Sequence, residues 1–372
     1  MDLLYTSSMA LRKNSAQDTQ FIEKVDLFNS LGFETKIVTP PIVSSQTLFP
    51  RLGFAISQIL FTISVFKICL YDRPKLICSR SALSLHILLL SKLFMIRYIP
   101  EVHGCLREEA DIQKCSSFFR FYTILSEYIT YKFCDHIIAV TDRIKSDICT
   151  FYHVREEKVT VIGNGANTSS FRPLSKKEAA DVLGVNKDII IIGYCGSLTQ
   201  WQGVDYLITA MSHVIKRYKN CQLMIVGDGP ERDNLLKLSE NLGILGQINF
   251  IGNVDHGLVP QYINCFDICV CYKKPLISGY SPLKLFEYMA CGKPIIASDV
   301  PGFELVKEYN IGLLVQPESE KDLASAIIEL IENRHLVEIM GHNARNYAEN
   351  EYNWKRVVER YIHTFDSISN ST

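Results

Sequence analysis

The stretch that decides the fold is Ser278-Gly279-Tyr280-Ser281-Pro282-Leu283-Lys284-Leu285-Phe286-Glu287-Tyr288-Met289-Ala290-Cys291-Gly292-Lys293-Pro294, followed by the apolar run Ile295-Ile296-Ala297. It predicts a loop, a short helix and a buried strand. We expect Ser281 to be the N-cap, Pro282 to take the first helical position and Gly292 to end the helix. The apolar face of this helix is formed by Leu285, Phe286 and Met289.

The start of this helix has the chemistry of an anion site. Its backbone N–H groups and the positive end of its dipole attract negative charge, and Lys284 in the first turn adds a cation. Phosphate is therefore the expected guest. Glu287 lies one turn further along, where its carboxylate is an acceptor for neighbouring hydroxyls of a sugar. From this segment alone, the alternative is an ordinary amphipathic helix with a surface glutamate.

Length, charge and cysteine usage restrict the class of protein. A chain of 372 residues exceeds one comfortable core and predicts about two domains. The net charge of −1 and the hydrophobic fraction of 47% suit a soluble globular protein and exclude an electrostatic footprint for nucleic acid. The twelve cysteines include no CxxC pair, and the amino terminus lacks the features of a signal peptide. We therefore expect reduced thiols in a cytoplasmic protein.

No arrangement of residues predicts a metal site. Cys265, Cys269 and Cys271 lie close in sequence, but neither a histidine nor a second cysteine pair completes a zinc site. The chain also has no Asp-x-Asp pair to hold a divalent cation beside a phosphate. The sequence therefore predicts chemistry without a metal or other cofactor.

Apolar strand-like runs alternate with helical patterns from one end of the chain to the other, which predicts an α/β fold with parallel sheets. The expected strands are Leu3–Thr6, Glu34–Val38, Lys75–Cys78, Arg97–Val102, His136–Val140, Val159–Ile162, Ile189–Tyr194, Gln222–Val226, Ile248–Ile251, Ile268–Cys271, Pro294–Ala297 and Leu313–Val315. A Gly/Asn cluster at 163–167 separates two similar halves. The predicted domains are residues 1–165 and 166–350, with residues 351–372 as a helix that returns to the first domain. Ligands of parallel sheets bind beyond the carboxyl ends of the strands, so two facing sheets predict a site in a cleft between the domains.

One segment has the length of a membrane span. Leu52 to Leu70 is nearly apolar, but polar residues such as Ser57 and Lys67 interrupt it and favour a helix docked on a sheet. The alternative is a shallow peripheral contact with the inner face of a membrane, through this helix or through the aromatic stretch Phe118-Phe119-Arg120-Phe121-Tyr122.

The motifs along the chain resemble those of retaining glycosyltransferase family 4, whose members use nucleotide sugars and have the GT-B architecture of two Rossmann-like domains. The residues that carry the resemblance are Glu101-Val102-His103-Gly104, Val161-Ile162-Gly163-Asn164-Gly165-Ala166 with Phe171-Arg172-Pro173, Gly196 to Asp205, Val226-Gly227-Asp228-Gly229-Pro230, Phe250-Ile251-Gly252, and the block Ser281 to Pro294. Each motif is weak alone. Six of them in the family's order and spacing span nearly the whole chain.

The resemblance implies roles for individual residues. Glu287 matches the second carboxylate of the family's E-x7-E motif, which is expected to hold the nucleotide ribose. His103 matches the histidine that reaches the donor sugar beside its reacting carbon, with a purely structural histidine as the alternative. Asn253 and Val254 lie where the family contacts the base. Further donor contacts are expected at Gly227, Gly279, Tyr280, Ser281, Pro282 and Leu283.

Three positions depart from the family's pattern. Members usually carry an Arg and, five residues later, a Lys that neutralise the diphosphate, whereas this chain has Ser197 and Gln202. The first Glu of the E-x7-E motif falls on Gly279. Three charged groups are therefore missing from the expected donor site.

Other cations are available to replace the missing charge. Lys284 at the start of the helix is the first candidate, assisted by backbone amides around Tyr280 and Ser281. Lys273 and Lys274 in the preceding loop come next, with solvated surface lysines as the alternative. Arg12 and Lys13, after the first strand, are a further option.

The resemblance implies a retaining, metal-independent hexosyltransferase, of class EC 2.4, that moves a sugar from a nucleoside-diphosphate donor to a hydroxyl acceptor in glycan or polysaccharide biosynthesis. UDP is favoured over GDP, and the acceptor is a sugar or is lipid-linked. Lys284 would stabilise the leaving group while His103 steadies the sugar. The alternatives are a catalytically degenerate member that binds a nucleotide sugar or a partner protein, and a nucleotide-sugar epimerase of the same fold. A dinucleotide oxidoreductase is disfavoured because no G-x-G-x-x-G turn follows the first strand.

Overall fold

The structure is a computed structural model that describes residues 1–11, 16–42, 50–80, 84–112, 115–276 and 279–369. The chain forms two compact units. The first unit is Met1–Gly163 together with the segment that begins at Trp354, and the second is Asn164–Asn353. The divisions thus fall after residues 163 and 353, where the sequence placed them after residues 165 and 350.

The first unit is built on a six-stranded parallel sheet of order β2-β1-β3-β4-β5-β6. Its strands are β1 (Leu3–Ser7), β2 (Thr35–Val38), β3 (Leu76–Arg80), β4 (Arg97–Val102), β5 (Ile137–Ala139) and β6 (Val159–Val161). Its helices are α1 (Ala16–Ser30), α2 (Pro50–Tyr71), α3 (Leu85–Leu93), α4 (Leu106–Ile112), α5 (Ser117–Phe133), α6 (Asp142–Tyr152) and α15 (Trp354–Ser369).

Helices cover both faces of this sheet, as parallel strands require. One core lies under α2, α3, α5 and α6 and includes Phe61, Ile87 and Tyr131. The other lies under α1 and α15 and includes Phe28 and Phe365, whose rings stack with centroids 6.1 Å apart. All five residues of β1 are buried, which explains why apolar and polar residues do not alternate along this strand.

The second unit has its own six-stranded parallel sheet, of order β12-β11-β10-β7-β8-β9. Its strands are β7 (Ile190–Cys195), β8 (Cys221–Val226), β9 (Ile248–Gly252), β10 (Ile268–Cys271), β11 (Ile295–Ser298) and β12 (Gly312–Val315). Its helices are α7 (Lys176–Leu183), α8 (Val204–Arg217), α9 (Arg232–Asn241), α10 (Val259–Cys265), α11 (Leu283–Ala290), α12 (Glu304–Glu308), α13 (Glu320–Glu332) and α14 (Arg334–Asn350).

The strand order of the second unit reverses at β7. From β7 the chain moves outward through β8 and β9, and it then returns to the other side of β7 to form β10, β11 and β12. Ligands of open parallel sheets bind at such a reversal, beyond the carboxyl ends of the two strands that flank it. The loops after β7 and β10 are therefore the expected position of a ligand in this unit.

The predicted fold class is confirmed: both halves are α/β units with parallel sheets, and all twelve predicted strands are present with ends displaced by no more than a few residues. The apolar segment from Leu52 to Leu70 is helical, within α2, and its side chains Phe61, Val65 and Cys69 enter the core of the first unit. Docking on the sheet is therefore confirmed.

Candidate functional site

The start of α11 differs from the predicted cap. Pro282 takes the N-cap position with extended backbone (φ −75°, ψ 127°), and the first helical residue is Leu283. The predictions of Ser281 as N-cap and of Pro282 as the first helical residue were therefore each wrong by one position. The Ser281 hydroxyl instead accepts a hydrogen bond from Asn164 Nδ2 at 2.9 Å, and no side chain caps the helix. Leu285 N–H donates to Pro282 O at 3.1 Å, which leaves the N–H groups of Leu283 and Lys284 as the donors that an anion could use at this helix start.

The end of α11 agrees with the sequence. Gly292 has a left-handed backbone (φ +66°), and its N–H donates to Met289 O at 2.9 Å. The next N–H, of Lys293, donates to Tyr288 O at 3.1 Å. This pair of bonds is the Schellman motif, which stops a helix and satisfies its last carbonyls. Leu285, Phe286 and Met289 are buried, so the predicted apolar face is confirmed.

Lys284 does not extend into solvent. Its residue is 9% exposed, and its Nζ lies 3.9 Å from the centroid of the Tyr194 ring. The ammonium lies close to the loop after β7. A Cβ added to Gly196 in this loop would be 2.4 Å from Lys284 Nζ. Gly196 also has a backbone conformation (φ +143°) that side chains rarely adopt. The glycine therefore leaves room for the buried lysine.

Two lysines converge on the amide oxygen of Gln202. Lys273 Nζ donates to Gln202 Oε1 at 2.7 Å, Lys284 Nζ at 3.1 Å, and the Tyr194 hydroxyl at 3.0 Å. Lys273 lies two residues after the end of β10 and is 4% exposed. Among the described residues, neither ammonium has a carboxylate within ion-pair distance, 4.0 Å. Gln202, where the family usually has a lysine, thus accepts hydrogen bonds from two lysines that lie elsewhere in the sequence.

The electrostatics of this pair follow from its burial. Burial, and then the charge of Lys284, lower the pKa of Lys273 to about 7. Burial also lowers the pKa of Lys284, which Cys271, Cys195 and Glu287 oppose. Two desolvated cations beside a neutral acceptor are unfavourable for stability. An anionic ligand would restore both charges and supply the missing counterion.

Lys274 behaves differently from its neighbour. Its Nζ forms an ion pair with Asp205 Oδ2 at 2.9 Å and lies 5.3 Å from the centroid of the Tyr206 ring. The charge of Lys274 is therefore already compensated. Of the two lysines in this loop, only Lys273 joins the cluster of Lys273, Lys284 and Gln202.

The remaining predicted donor positions line the same end of the second sheet. Ser197 is exposed, and its hydroxyl accepts from Gln202 Nε2 at 3.3 Å. Gly227 (φ +125°) approaches the preceding loop so closely that a Cβ would lie 2.1 Å from Gly196 O. At Gly279 (φ +70°) a Cβ would lie 2.5 Å from Pro301 O. This loop conformation therefore has no room for the family's first glutamate.

Glu287 and the residues after β9 complete this end of the sheet. Glu287 is 3% exposed, and its Oε1 lies 3.3 Å from His256 Nε2, in the segment that follows β9. Asn253 is exposed and Val254 is half-buried against the core. Tyr280 donates its hydroxyl hydrogen to Lys274 O at 2.7 Å, and its ring lies 4.9 Å from Lys273 Nζ. The alternative of a surface glutamate at Glu287 was therefore wrong.

His103 lies in the first unit, directly after β4. Its Nε2 is 2.6 Å from Glu101 Oε1, and its side chain is 26% exposed. Burial, reinforced by the charge of Arg80, lowers the pKa of His103 to about 4 despite the carboxylate beside it. The imidazole is therefore neutral at physiological pH, and a ring nitrogen that donates to Glu101 leaves the other nitrogen as an acceptor.

Glu101 is the centre of a buried network that the sequence did not reveal. It is fully buried, pairs with Lys24 Nζ at 2.9 Å, and accepts a hydrogen bond from the Tyr5 hydroxyl. Burial alone would raise the pKa of Glu101, but Lys24 and His103 hold it well below its usual range. Lys24 also lies 4.7 Å from the centroid of the Tyr361 ring, on α15. The network fixes the orientation of His103.

Two further residues were missed at the sequence level. Asn164, 5% exposed, donates from Nδ2 to both the carbonyl and the hydroxyl oxygen of Ser281 and so holds the strand-to-helix entry of α11. His256 pairs with Glu287, as described above. The position of Asn164 inside a glycine cluster was the available signal. Arg12, Lys13 and Ser278 lie outside the described residues, and no cluster of three metal-ligating side chains occurs within the part of the chain that is described.

Comparison with known families identifies matches over both units. The family described as Glycosyltransferase Family 4 matches residues 23–170, and the family described as Glycosyl transferases group 1 matches residues 175–347. An uncharacterized glycosyltransferase of Methanocaldococcus jannaschii is 30% identical over 247 residues, which are 64% of this chain and 62% of that protein. The chain thus spans less than two thirds of the length of this relative.

Two solved structures share the fold over the whole chain. Sucrose-phosphate synthase from Thermosynechococcus elongatus has a TM-score of 0.81 at 19% identity, with 100% of both chains covered. Anabaena HepE in complex with UDP-glucose has a TM-score of 0.76 at 18% identity, covering 98% of this chain and 99% of that chain. These likenesses show that the chain shares its fold with both proteins.

Proposed function

This chain belongs to the group 1 glycosyltransferases of family 4, with their two-domain GT-B fold, and we propose that it transfers a sugar from a nucleoside-diphosphate donor to a hydroxyl acceptor. The observation that carries the proposal is the pair of buried lysines, Lys273 and Lys284, that meet at Gln202 Oε1. The Anabaena neighbour contains UDP-glucose, which supports a UDP sugar as the donor.

The positive charge of Lys273 and Lys284 favours a diphosphate as the ligand. Each ammonium carries three N–H donors, and Gln202 occupies one donor of each. The uncapped start of α11 adds backbone N–H groups and a positive dipole end. A doubly charged anion at this position would meet two cations and a helix end, whereas a neutral ligand would leave both lysines without a counterion. The expected ligand is therefore the diphosphate of the donor.

Other residues are proposed to contact the remaining parts of the donor. Glu287 would accept hydrogen bonds from the ribose hydroxyls, with His256 helping to position the carboxylate. Asn253 and Val254 would contact the base. His103 of the first unit is neutral and held by Glu101, which suits the role that the family resemblance implies for it, accepting a hydrogen bond from a sugar hydroxyl.

The reaction we propose proceeds with retention and needs no metal. The bond between the sugar's anomeric carbon and the diphosphate oxygen breaks, and its electron pair leaves with the diphosphate. The acceptor oxygen bonds to the anomeric carbon on the same face, and its proton passes to the departing diphosphate oxygen. Lys273 and Lys284 stabilise the negative charge that builds on the leaving group. The same chemistry suits a cytoplasmic hexosyltransferase of glycan or polysaccharide biosynthesis with a sugar or lipid-linked acceptor.

The test compares three substitutions in one loop region. Lys273→Met and Lys284→Met should each weaken UDP binding by about 1.5–3 kcal/mol, or roughly 10- to 150-fold, because each removes a charge-assisted hydrogen bond. Lys274→Met is the matched control, since Lys274 is already paired with Asp205, and its UDP affinity should stay within about twofold of the unsubstituted protein. Isothermal titration calorimetry with UDP, GDP and their sugars measures these affinities.

A nucleotide-release assay with the donor that binds best then separates catalysis from binding alone. Release of UDP in the presence of an acceptor supports the transferase. Tight binding without release would favour a degenerate member of the family that keeps only the donor site. Equal UDP affinity in all three variants would overturn the assignment of the diphosphate to this cluster.

A further inference from the structure

The outer surface of the first unit is apolar over three neighbouring helices. Helix α2 packs against α3, and α3 packs against α5. The exposed apolar and aromatic side chains on these helices are Phe54, Ile56, Ile59, Leu60, Ile63, Phe66, Leu70 and Tyr71 on α2, Leu89 and Leu93 on α3, and Phe118, Phe119, Phe121, Tyr122, Leu125, Tyr128 and Phe133 on α5. We call this surface the apolar face. It is much larger than the scattered apolar side chains that a monomeric soluble protein normally exposes.

The charged residues of these three helices are mostly basic. Their sequences contain the basic residues Arg51, Lys67, Lys92, Arg120 and Lys132 and a single acidic residue, Glu127. Glu127 is 1% exposed and accepts hydrogen bonds from the hydroxyls of Tyr131 and Tyr152, so it adds no negative charge to the surface. The whole chain has a net charge of −1, which makes this excess of cations a local property of the apolar face.

Some of these cations lie where the apolar side chains meet water. Lys132 Nζ lies 5.4 Å from the centroid of the Tyr128 ring and 5.8 Å from that of Phe133. Lys67 is exposed among the apolar side chains of α2. Lys92, by contrast, is paired with Asp135 at 3.0 Å. Long basic side chains that lie along aromatic rings and end in a charge are typical of the boundary between apolar and polar phases.

The packing of α2 decides whether this helix lies on a membrane or crosses it. By length and composition, Gly53–Tyr71 is long and apolar enough to cross a membrane, and 28% of it is buried within the protein. One side of the helix, with Phe61, Val65 and Cys69, belongs to the core under the sheet. Ser57 Oγ also donates to Pro41 O at 2.7 Å. A crossing would pull these residues out of the core, whereas contact along the opposite side leaves the fold intact.

We propose that the apolar face binds the surface of a lipid bilayer that contains anionic lipids. Its aromatic side chains enter the headgroup region, and Lys67, Arg120 and Lys132 contact lipid phosphates. Among the described residues of α2, α3 and α5, none is an exposed acidic side chain. The resulting positive charge fits an anionic membrane better than a second copy of the chain, whose own apolar face carries the same charge. This proposal stands apart from the donor chemistry of the second unit, and neither depends on the other.

Vesicle binding tests the proposal. The full chain should sediment with vesicles of phosphatidylcholine and phosphatidylglycerol, and much less with phosphatidylcholine alone. Phe118→Ser combined with Phe121→Ser removes two exposed rings and should lower the partition by at least about tenfold. Lys67→Glu combined with Lys132→Glu should lower it by a similar factor and remove the preference for phosphatidylglycerol.

Matched controls come from the second unit. Val182→Ser with Ile339→Ser changes two exposed apolar side chains there, and Lys177→Glu with Lys237→Glu reverses two exposed charges. Both control pairs should sediment like the unsubstituted protein. Circular dichroism melting of every variant shows that the fold is retained.

A second measurement locates the contact. Tryptophan placed by Phe118→Trp should be quenched by brominated phosphatidylcholine mixed with phosphatidylglycerol, beyond the quenching of the two native tryptophans. Failure to sediment with either vesicle, or sedimentation unaffected by both substitutions on the apolar face, would overturn the proposal. So would a dimer in sedimentation velocity that Phe118→Ser with Phe121→Ser dissociates, because a second copy would then be the occupant.

Discussion

The two units use charge and apolar surface in opposite ways. In the first unit, the buried cation Lys24 is paired with the buried carboxylate Glu101, and apolar side chains cover much of the outside. In the second unit, Lys273 and Lys284 are buried with only a neutral amide between them, and the exposed large apolar side chains among described residues are few: Val182, Trp201, Leu242, Ile251, Leu258 and Ile339.

The difference separates structural features from features that need a partner. A buried charge with its counterion is satisfied within the fold, and a polar surface is satisfied by water. A buried cation without a counterion and an apolar surface without a cover are both left incomplete by the chain itself. Each unit therefore lacks one partner, and we propose that lipid completes the first unit and an anion the second.

The largest expected effect comes from replacing a buried lysine by methionine in each unit and comparing the changes in stability. Lys24→Met leaves the buried carboxylate of Glu101 without its main cation and should lower the free energy of unfolding of the first unit by about 3–5 kcal/mol. Lys273→Met removes a cation that has no carboxylate partner, and Gln202 Oε1 keeps two other donors. The stability of the second unit should therefore stay unchanged or increase.

The two tryptophans allow each unit to be followed separately. Trp354 belongs to the first unit and Trp201 to the second. Urea unfolding of Lys24→Met is measured in a Trp201→Phe background, and that of Lys273→Met in a Trp354→Phe background, each against its own background. If both substitutions lower the free energy of unfolding by similar amounts, Lys273 is a structural residue like Lys24, and the proposed difference between the units is wrong.

A smaller effect is expected when the space occupied by Lys284 is filled. In Gly196→Ala, the new Cβ would stand 2.4 Å from Lys284 Nζ, so the ammonium must move away from Gln202. UDP affinity should fall by about 1.5–3 kcal/mol, the worth of one charge-assisted hydrogen bond. Gly184→Ala is the control, since Gly184 also has a positive φ (+65°) but nothing within 4 Å of a Cβ. Calorimetry showing full UDP affinity in Gly196→Ala would remove Lys284 from the donor site.

The smallest effect is a dependence on pH. In the unliganded protein the pKa of Lys273 is about 7, and a bound diphosphate raises it. Between these two pKa values binding takes up a proton, so UDP affinity should fall as the pH rises above 7, by up to about 1.4 kcal/mol per pH unit. Titrations at pH 8 in buffers of different ionisation enthalpy should show the proton uptake. Lys273→Met should abolish it, and proton uptake that persists in this variant would assign the effect to another group.

The fold was predictable because its signals are local. Nearly every strand contains a run of apolar residues, and burial on both faces of a parallel sheet favours such runs. The error at the start of α11 has a nonlocal cause. Ser281 is a good N-cap by residue type, but its hydroxyl bonds with Asn164, which lies more than a hundred residues earlier. A local pattern contains no information about such a contact.

The cluster of Lys273, Lys284 and Gln202 was only partly predictable for the same reason. The sequence identified Ser197 and Gln202 as positions without the family's charge, and it named Lys273 and Lys284 as replacements. That both lysines meet at Gln202 depends on the strand order that places β10 beside β7. The apolar face also required the structure, because α2 and α5 were recognised as separate segments and only their packing on either side of α3 joins them.

The discontinuity of the first unit has a consequence for synthesis. Its second core is closed by α15, whose Tyr361 and Phe365 pack on α1, while the second unit is a single continuous segment. During translation, Asn164–Asn353 is complete before α15 has left the ribosome. The amino-terminal half must therefore wait, with its core open, until the last helix arrives. A ribosome that stalls shortly after residue 353 would release a chain with one finished unit and one unfinished unit, and chaperones would encounter the latter first.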